Sequence, residues 1–228
     1  MMRYIVFRKN KLQKIRPYIS LVVVTALIAL IVMTFILDIY RIPTESMEPT
    51  LLPGDHVVGL KIVYGIRIPF TDIHIKISGP KHSDVVSIKR PEDNILYIKR
   101  VVALPTESVE LRSGNITVSG QVFKRDYATD TSMYKYADAN DVVFEEFAWN
   151  KKYYVSYSNQ KRISDMDKIR VCSSDGFFVM GDNRTNSVDS RKWGDVRGRD
   201  IVSRVVFIFF STDPDTGKIR WGRVGIIH

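Results

Sequence analysis

The chain has 228 residues, enough for one domain or for one domain and an attached segment. Its composition, 45% hydrophobic and 26% charged, disfavours disordered, collagen-like and coiled-coil structures, and its single cysteine excludes an intrachain disulfide and a Cys-rich zinc site. A net charge of +9 would indicate a nucleic acid or an anionic membrane as partner, depending on where along the chain it lies.

The first 17 residues form a basic tail. This tail carries +6 of the net charge and no acidic residue, its basic residues being Arg3, Arg8, Lys9, Lys11, Lys14 and Arg16. The rest of the chain is nearly balanced, with 28 basic and 25 acidic side chains. A DNA-binding domain would keep its positive charge on the folded surface that meets phosphate, so we expect no nucleic acid partner.

An uncharged apolar segment follows the tail, from Pro17 to Leu37. Its 21 residues suffice to cross roughly 30 Å of hydrocarbon as a helix, and it lacks the polar stripe of a core helix. The segment exceeds the apolar region of a cleaved signal peptide and ends without an A-x-A-like site. We therefore predict a tail over 1–17, an uncleaved transmembrane helix over 18–37, and a separate domain over 38–228.

The charge distribution also predicts the orientation of this helix. Six positive charges precede the apolar segment, whereas only Asp38 and Arg41 follow it closely. By the positive-inside rule, the tail stays in the cytoplasm and the domain lies outside the cell membrane.

The domain after the helix is predicted to be mainly β. Short apolar runs between turn signals predict strands at 56–63, 84–88, 95–104, 109–111, 116–118, 177–180, 201–210 and 219–227. Hairpin turns are predicted at 113–115 and 213–217. Residues 125–170 are polar and rich in tyrosine, which favours an inserted subdomain or a long excursion from the β core.

Common hydrolase and metal motifs are absent from the sequence. It contains neither a G-x-S-x-G elbow nor an H-E-x-x-H zinc helix, and its four histidines are scattered. Residues 78–81 match S-x-x-K, but glycine and proline disfavour the helix that this motif would open. We expect no metal and no cofactor.

Two segments carry a candidate nucleophile and a candidate base. In 43–51, Ser46 lies between two prolines that stiffen the chain around its hydroxyl. In 97–102, Lys99 interrupts an apolar strand. On an exposed edge this would be an ordinary lysine, but on a buried face desolvation would lower the amine's pKa and allow it to act as a general base.

A third segment, 181–194, is dense in side chains that cap turns and form hydrogen-bond networks. Together the three segments resemble the bacterial type I signal peptidases, membrane-bound serine endopeptidases with a Ser–Lys dyad. After the anchor, the resemblance rests on S-M-x-P-T-L at 46–51, G-D-x-V at 54–57, Y-I-K-R-V-V at 97–102 and G-D-N-R-x-N-S-x-D-S-R-x-W-G at 181–194.

The resemblance implies a role for each matched position. Ser46 would be the nucleophile and Lys99 its general base, while Thr44 would help to form the oxyanion hole and Ser187 would orient the lysine amine. Further supporting residues near the dyad would be Asp182, Asn183, Asp189 and Arg191.

The resemblance also implies the reaction and its setting. The protein would remove N-terminal signal peptides from exported preproteins at the outer face of the cytoplasmic membrane, through an acyl-enzyme intermediate. Its partners would be preprotein signal peptides and the phospholipid membrane, and it would act as a monomer.

Two departures from the family pattern concern the turns beside the dyad. Residues 103–107 read A-L-P-T-E where the family usually has G-L-P-G-D, and Thr185 replaces a common Asp. Two alternatives stay open: a specialised pilin or conjugation-type maturation peptidase of the same superfamily, and a non-enzymatic anchored β-rich binding module.

Overall fold

The computed structural model describes residues 3–67, 71, 73–112, 114–130, 133, 135, 137, 141–159 and 168–227. An N-terminal helix, α1 (Arg3–Phe35), precedes a mainly β domain, as the sequence predicts. Within α1, the segment Ile15–Phe35 has a mean hydropathy of 2.6 and none of it is buried. A core helix would be mostly buried, so this segment has the exposure and length of a membrane span.

The helix differs from the predicted one at both ends. It begins within the predicted tail, where lysine and arginine favour helix, and it ends at Phe35 rather than Leu37. Leu37 instead begins strand β1, where it pairs with Leu60 of β2, so sheet hydrogen bonds replace helical ones. The division into 1–17, 18–37 and 38–228 stays a prediction.

In its described residues, the domain consists of antiparallel strands and one short helix, α2 (Ser190–Trp193). The strands are β1 (Leu37–Arg41), β2 (Asp55–Leu60), β3 (Gly65–Arg67), β4 (His74–Lys76), β5 (Val85–Lys89), β6 (Leu96–Ala103), β7 (Ser108–Arg112), β8 (Asn115–Val118), β9 (Gln121–Val122), β10 (Lys124–Tyr127), β11 (Asp141–Ala148), β12 (Lys151–Ser158), β13 (Lys168–Val171), β14 (Gly176–Met180), β15 (Val196–Arg197), β16 (Ile201–Ser211) and β17 (Gly225–Ile226). Single 3-10 turns lie at Glu45–Met47, Gly198–Asp200 and Trp221–Arg223.

The main sheet has the strand order β1-β2-β16-β5-β6-β14-β15, and β17 pairs with β16. Strand β16 comes late in the chain but lies between β2 and β5, so the C-terminal part completes the centre of the sheet. Strand β14 pairs with β6, with Val179 opposite Val101 and Met180 opposite Arg100. The segment that follows β14 therefore leaves the sheet beside Lys99.

Two smaller sheets extend the domain, with the orders β10-β11-β12 and β13-β7-β8-β9. A group of buried apolar side chains joins them to β6 and β14, including Val102, Val118, Val155 and Phe178. The polar region 125–170 thus contributes strands to both small sheets, and whether it is an insertion stays a prediction.

Most predicted strands are present, and both hairpin turns are confirmed. Arg112 pairs with Asn115 across the first turn, of which Ser113 lies outside the described residues. In the second turn, Asp213 Oδ1 accepts the backbone N–H of Thr216 at 2.9 Å. The exception is 219–227, where a 3-10 turn and the two-residue β17 replace the predicted continuous strand.

Candidate active site

The structure brings Ser46 and Lys99 into direct contact. The Lys99 Nζ lies 2.6 Å from the Ser46 Oγ and donates a hydrogen bond to it. Lys99 is only 2% exposed, so the strand face that it shares with Tyr97 and Val101 is buried at this position. This settles the two readings of Lys99 in favour of a desolvated amine.

Burial changes the acidity of this amine. Desolvation lowers the pKa of Lys99 from 10.5 to about 8, against the opposing effect of the Asp189 and Asp182 carboxylates. Near pH 8 a substantial fraction of the amine is therefore neutral. A neutral amine within hydrogen-bond distance of a serine hydroxyl can accept its proton.

Ser46 is held by the backbone on either side of it. It belongs to a 3-10 turn, Glu45–Met47, whose Met47 side chain is buried. Its carbonyl oxygen accepts a hydrogen bond from the Asn183 backbone N–H at 3.2 Å. The Thr44 Oγ1 lies 3.3 Å from the Ser46 Oγ, so the Thr44 hydroxyl is beside the hydroxyl of the candidate nucleophile.

Gly181 allows the 181–194 segment to approach Ser46 closely. A Cβ at this position would lie 2.3 Å from the Ser46 carbonyl oxygen and 2.3 Å from the Ser187 Oγ. The Ser187 Oγ is buried without a hydrogen-bond partner among the described residues. The structure therefore places Ser187 next to the site, but without a hydrogen bond to the Lys99 amine.

Asp182 supports β6 from the face opposite to Lys99. It accepts hydrogen bonds from Arg100 Nε at 2.8 Å and Arg100 Nη2 at 2.7 Å, and both side chains are fully buried. Thr50 Oγ1 donates to the same carboxylate at 2.6 Å. Since Thr50 follows Ser46 closely in the chain, Asp182 ties the serine segment to the lysine strand without touching either candidate catalytic atom.

Asp189 and Arg191 form an ion pair that links the two ends of the 181–187 loop. Arg191 donates to Asp189 through Nε at 2.7 Å and through Nη2 at 2.6 Å. Asp189 Oδ2 also accepts the Gly181 backbone N–H at 2.9 Å. Arg191 further donates to the Ser187 carbonyl oxygen at 3.5 Å, so this pair holds the backbone of both small residues that approach Ser46.

A third buried ion pair involves this segment, and no motif in the sequence indicates it. Arg184 donates to Glu146 Oε2 at 2.7 Å, and both side chains are almost completely buried. Tyr153 also donates to Glu146, at 2.8 Å. Glu146 lies in the polar region 125–170, which carries no motif. Its burial was indicated only by strand alternation, which places Glu146 on the same face of β11 as Phe144 and Ala148.

A cleft of about 860 Å³ opens beside Ser46 and Lys99. The segments 39–47 and 95–99 form its two sides, with Asn186 and Val188 at its border. Its walls carry apolar side chains such as Ile42 and Ile98, which lie beside Ser46 and Lys99.

At both departures from the family pattern, hydrogen bonds still hold the neighbouring turn. Thr106 adopts a φ of 69°, the left-handed region that favours glycine. The carboxylate of Glu107 accepts the Leu104 backbone N–H at 2.7 Å. Thr185 Oγ1 accepts the Ser158 backbone N–H at 2.8 Å, so a threonine hydroxyl supplies an acceptor there.

Within the part of the chain that the structure describes, no group of three or more His, Cys, Asp or Glu residues is arranged to hold a metal ion. The site described above consists of hydroxyl, amine, carboxylate and guanidinium groups supplied by the chain itself.

The chain matches the model of the family described as "Signal peptidase, peptidase S26" over residues 15–210. It is 30% identical to Signal peptidase I of Buchnera aphidicola subsp. Baizongia pistaciae, covering 89% of this chain and 80% of that protein. It is 31% identical to Signal peptidase I of Pseudomonas aeruginosa, covering 88% and 75%. Among solved structures, a signal peptidase I from Enterococcus faecalis aligns with a TM-score of 0.35 at 22% identity, covering 57% of this chain and 98% of that one.

Proposed function

The chain belongs to the signal peptidase S26 family, and we propose that Ser46 and Lys99 are the dyad with which this serine endopeptidase removes signal peptides from exported preproteins. The observation that carries the proposal is the 2.6 Å hydrogen bond between a 2% exposed amine and a serine hydroxyl. Family membership also disfavours the alternative of a non-enzymatic binding module.

In the first half of the proposed reaction, the neutral Lys99 amine accepts the proton of the Ser46 hydroxyl while Oγ attacks the scissile carbonyl carbon. The negative charge that develops on the carbonyl oxygen is stabilised by the Ser46 backbone N–H and the Thr44 hydroxyl. The C–N bond then breaks, and the Lys99 ammonium returns its proton to the amino group of the departing mature protein. An acyl-enzyme on Ser46 remains.

In the second half, Lys99 takes a proton from a water molecule, whose oxygen attacks the ester carbon. The ester bond breaks, Ser46 recovers its proton, and the signal peptide leaves with a new carboxylate. Lys99 thus acts as base and then acid in each half of the reaction.

The other matched residues are proposed to position these groups. Ser187 offers a buried oxygen that can accept a hydrogen bond from the Lys99 ammonium once it forms. Asp189 and Arg191 hold the backbone around Ser187, and Asn183 holds the Ser46 carbonyl oxygen. Asp182 holds the serine segment against the lysine strand, because it accepts hydrogen bonds from both Thr50 and Arg100.

The proposed setting is the cytoplasmic membrane. Helix α1 would span it, the basic tail would lie in the cytoplasm, and the β domain would act on the outer side as a monomer. Anchored enzyme and anchored substrate then meet in two dimensions at a high effective concentration.

Preprotein cleavage by the purified protein in lipid vesicles tests the dyad. Ser46→Ala and Lys99→Met should each abolish cleavage, and a serine-directed acylating probe should label the wild type but not Ser46→Ala. The matched controls are Ser78→Ala and Lys81→Met, which change the other Ser–Lys pair and should leave cleavage unchanged. Normal cleavage by Ser46→Ala or Lys99→Met would refute the dyad.

The range of preproteins cleaved distinguishes a general signal peptidase from the alternative, a specialised pilin or conjugation-type maturation peptidase. A general signal peptidase should process several unrelated preproteins that share only a signal peptide. Cleavage confined to pilin-like or conjugation-type precursors would instead identify the specialised maturation peptidase, with the same dyad.

A further inference from the structure

A second groove adjoins the cleft beside Ser46. It has a volume of about 780 Å³ and lies between residues of the segments 45–53 and 213–222. Glu45 and Pro53 border both the cleft and the second groove. The second groove therefore begins at the residue that precedes the candidate nucleophile.

The cleft itself has two distinguishable ends. One side of it runs from Ile39, close to the end of α1, to the segment of Ser46, and the other side runs from Ile95 to Lys99. Under the proposed function, the apolar segment of the preprotein reaches the cleft from the bilayer, and its scissile bond lies at Ser46. The residues that follow the scissile bond then leave the cleft at its dyad end, where the second groove begins.

The charges that line the second groove are balanced apart from Glu45. Among the described residues, three further carboxylates and three cations line it: Glu48, Asp213, Asp215, Lys135, Lys218 and Arg220. Apolar side chains such as Leu52 and Ile219 lie between them. Since the other charges offset one another, Glu45 decides the sign of the charge that the groove presents next to Ser46.

Glu45 is held in place by a neutral partner. It belongs to the 3-10 turn that carries Ser46, and its Oε2 accepts a hydrogen bond from the Asn186 Nδ2 at 3.1 Å. Asn186 is itself held, since its backbone N–H donates to the Asn183 carbonyl oxygen at 3.2 Å. No lysine or arginine of the described residues lies within 4.0 Å of the Glu45 carboxylate. A cationic group on a bound substrate would therefore compensate a charge that these residues leave uncompensated.

We propose that Glu45 is a specificity-determining residue, which favours basic side chains among the first residues of the mature protein as they enter the second groove. This inference rests on the proposed function, because it assigns the two halves of the substrate to the two sides of Ser46. A basic side chain would pair with the Glu45 carboxylate, whereas an acidic one would be repelled. An exposed ion pair of this kind should change kcat/KM by about fivefold, and salt should screen the effect.

A set of three soluble peptides tests the preference with the full-length protein in detergent. The peptides are identical except that the second and third residues after the scissile bond are both lysine, both glutamine or both glutamate. Neighbouring residues of an extended peptide point to opposite sides, so one of each pair can face Glu45. The wild type should cleave the lysine peptide about fivefold faster than the glutamine peptide, and the glutamate peptide more slowly than either.

Two substitutions of Glu45 and one matched control assign the preference to this residue. Glu45→Gln should bring the three rates within about twofold of one another, and Glu45→Lys should invert their order. Glu110→Gln removes a carboxylate on β7, outside both grooves, and should keep the wild-type order. In about 1 M salt the wild type should lose most of its preference.

The ratio between peptides separates a charge effect from damage to the dyad. A structural disturbance of Ser46 would slow all three peptides by the same factor and leave their ratio unchanged. Equal wild-type rates, or a preference that persists in Glu45→Gln, would overturn the proposal, as would a preference that is lost in Glu110→Gln. If the wild type cleaves none of the peptides, the proposed function fails. Binding of fluorescent forms of the peptides to Ser46→Ala then still tests Glu45, and equal affinities for the lysine and glutamate peptides would overturn its role.

Discussion

Replacing Lys99 by methionine removes a buried amine from the site while keeping a side chain of similar length. In the unfolded chain this amine has a pKa of 10.5, and in the folded protein burial lowers the pKa to about 8. Between these two values the unfolded state binds more protons than the folded state. The free energy of unfolding of the wild type should therefore rise with pH over this window.

The size of the effect follows from the two pKa values. Near pH 7 the preference of the unfolded state for the proton destabilises the fold by about 3 kcal/mol, and near pH 10 by less than about 1 kcal/mol. Methionine cannot bind a proton, so the substitution removes this destabilisation. It also removes the hydrogen bond to Ser46, which contributes about 1 kcal/mol to stability. Lys99→Met should thus be inactive and yet more stable than the wild type by about 2 kcal/mol near pH 7.

Urea unfolding of both proteins in detergent, followed by far-UV circular dichroism from pH 6.5 to pH 10, measures this difference. The stability gained by Lys99→Met should shrink as pH rises, and Ser46→Ala, which keeps the amine, should follow the wild type in its pH dependence. A constant gain over the whole range would mean that Lys99 is not a desolvated amine. The same pKa predicts that wild-type cleavage rises as pH increases through about 8, and a rate that is flat across this pH would contradict the base assignment.

Three further substitutions test the surroundings of the dyad. Gly181→Ala inserts a Cβ 2.3 Å from the Ser46 carbonyl oxygen, so kcat in a peptide cleavage assay should fall by at least about tenfold, and an unchanged rate would refute the close approach. Glu146→Ala leaves the buried Arg184 guanidinium unpaired and should lower the free energy of unfolding by about 3–5 kcal/mol, whereas a loss below about 1 kcal/mol would show that this pair is hydrated. Thr106→Gly should raise stability by about 0.5–1 kcal/mol because it relieves a left-handed threonine, while Thr106→Ala, which keeps the strained φ, should not.

The chemistry of the candidate site could be predicted because its residues lie in short, dense motifs. Ser46 between its prolines and Lys99 within an apolar strand were candidates by residue type and spacing, and the family resemblance supplied the roles of nucleophile and base. Their meeting at 2.6 Å was implied by the family resemblance and not by any local pattern. The helix was predictable for a similar local reason, since an uncharged segment of this length has few alternatives to a membrane span.

The polar network around the dyad could not be predicted in the same way. Asp182 was expected near the site, but its partner is Arg100, which lies on the strand face opposite to Lys99. Glu146, in a region without a motif, is the partner of Arg184. Such pairs depend on which strands become neighbours, and no local feature of 141–148 indicates that this strand would pack against the 181–194 segment.

The sequence by itself determined what is local: an apolar anchor, a mainly β pattern, and the residue types of a hydroxyl–amine dyad. The tertiary structure alone decided which face of β6 is buried, because burial depends on β14 and the segment after it lying beside Lys99. That arrangement lowers the pKa of the Lys99 amine to about 8. Desolvation is a property of the assembled neighbours and not of the lysine, so only the fold could supply it.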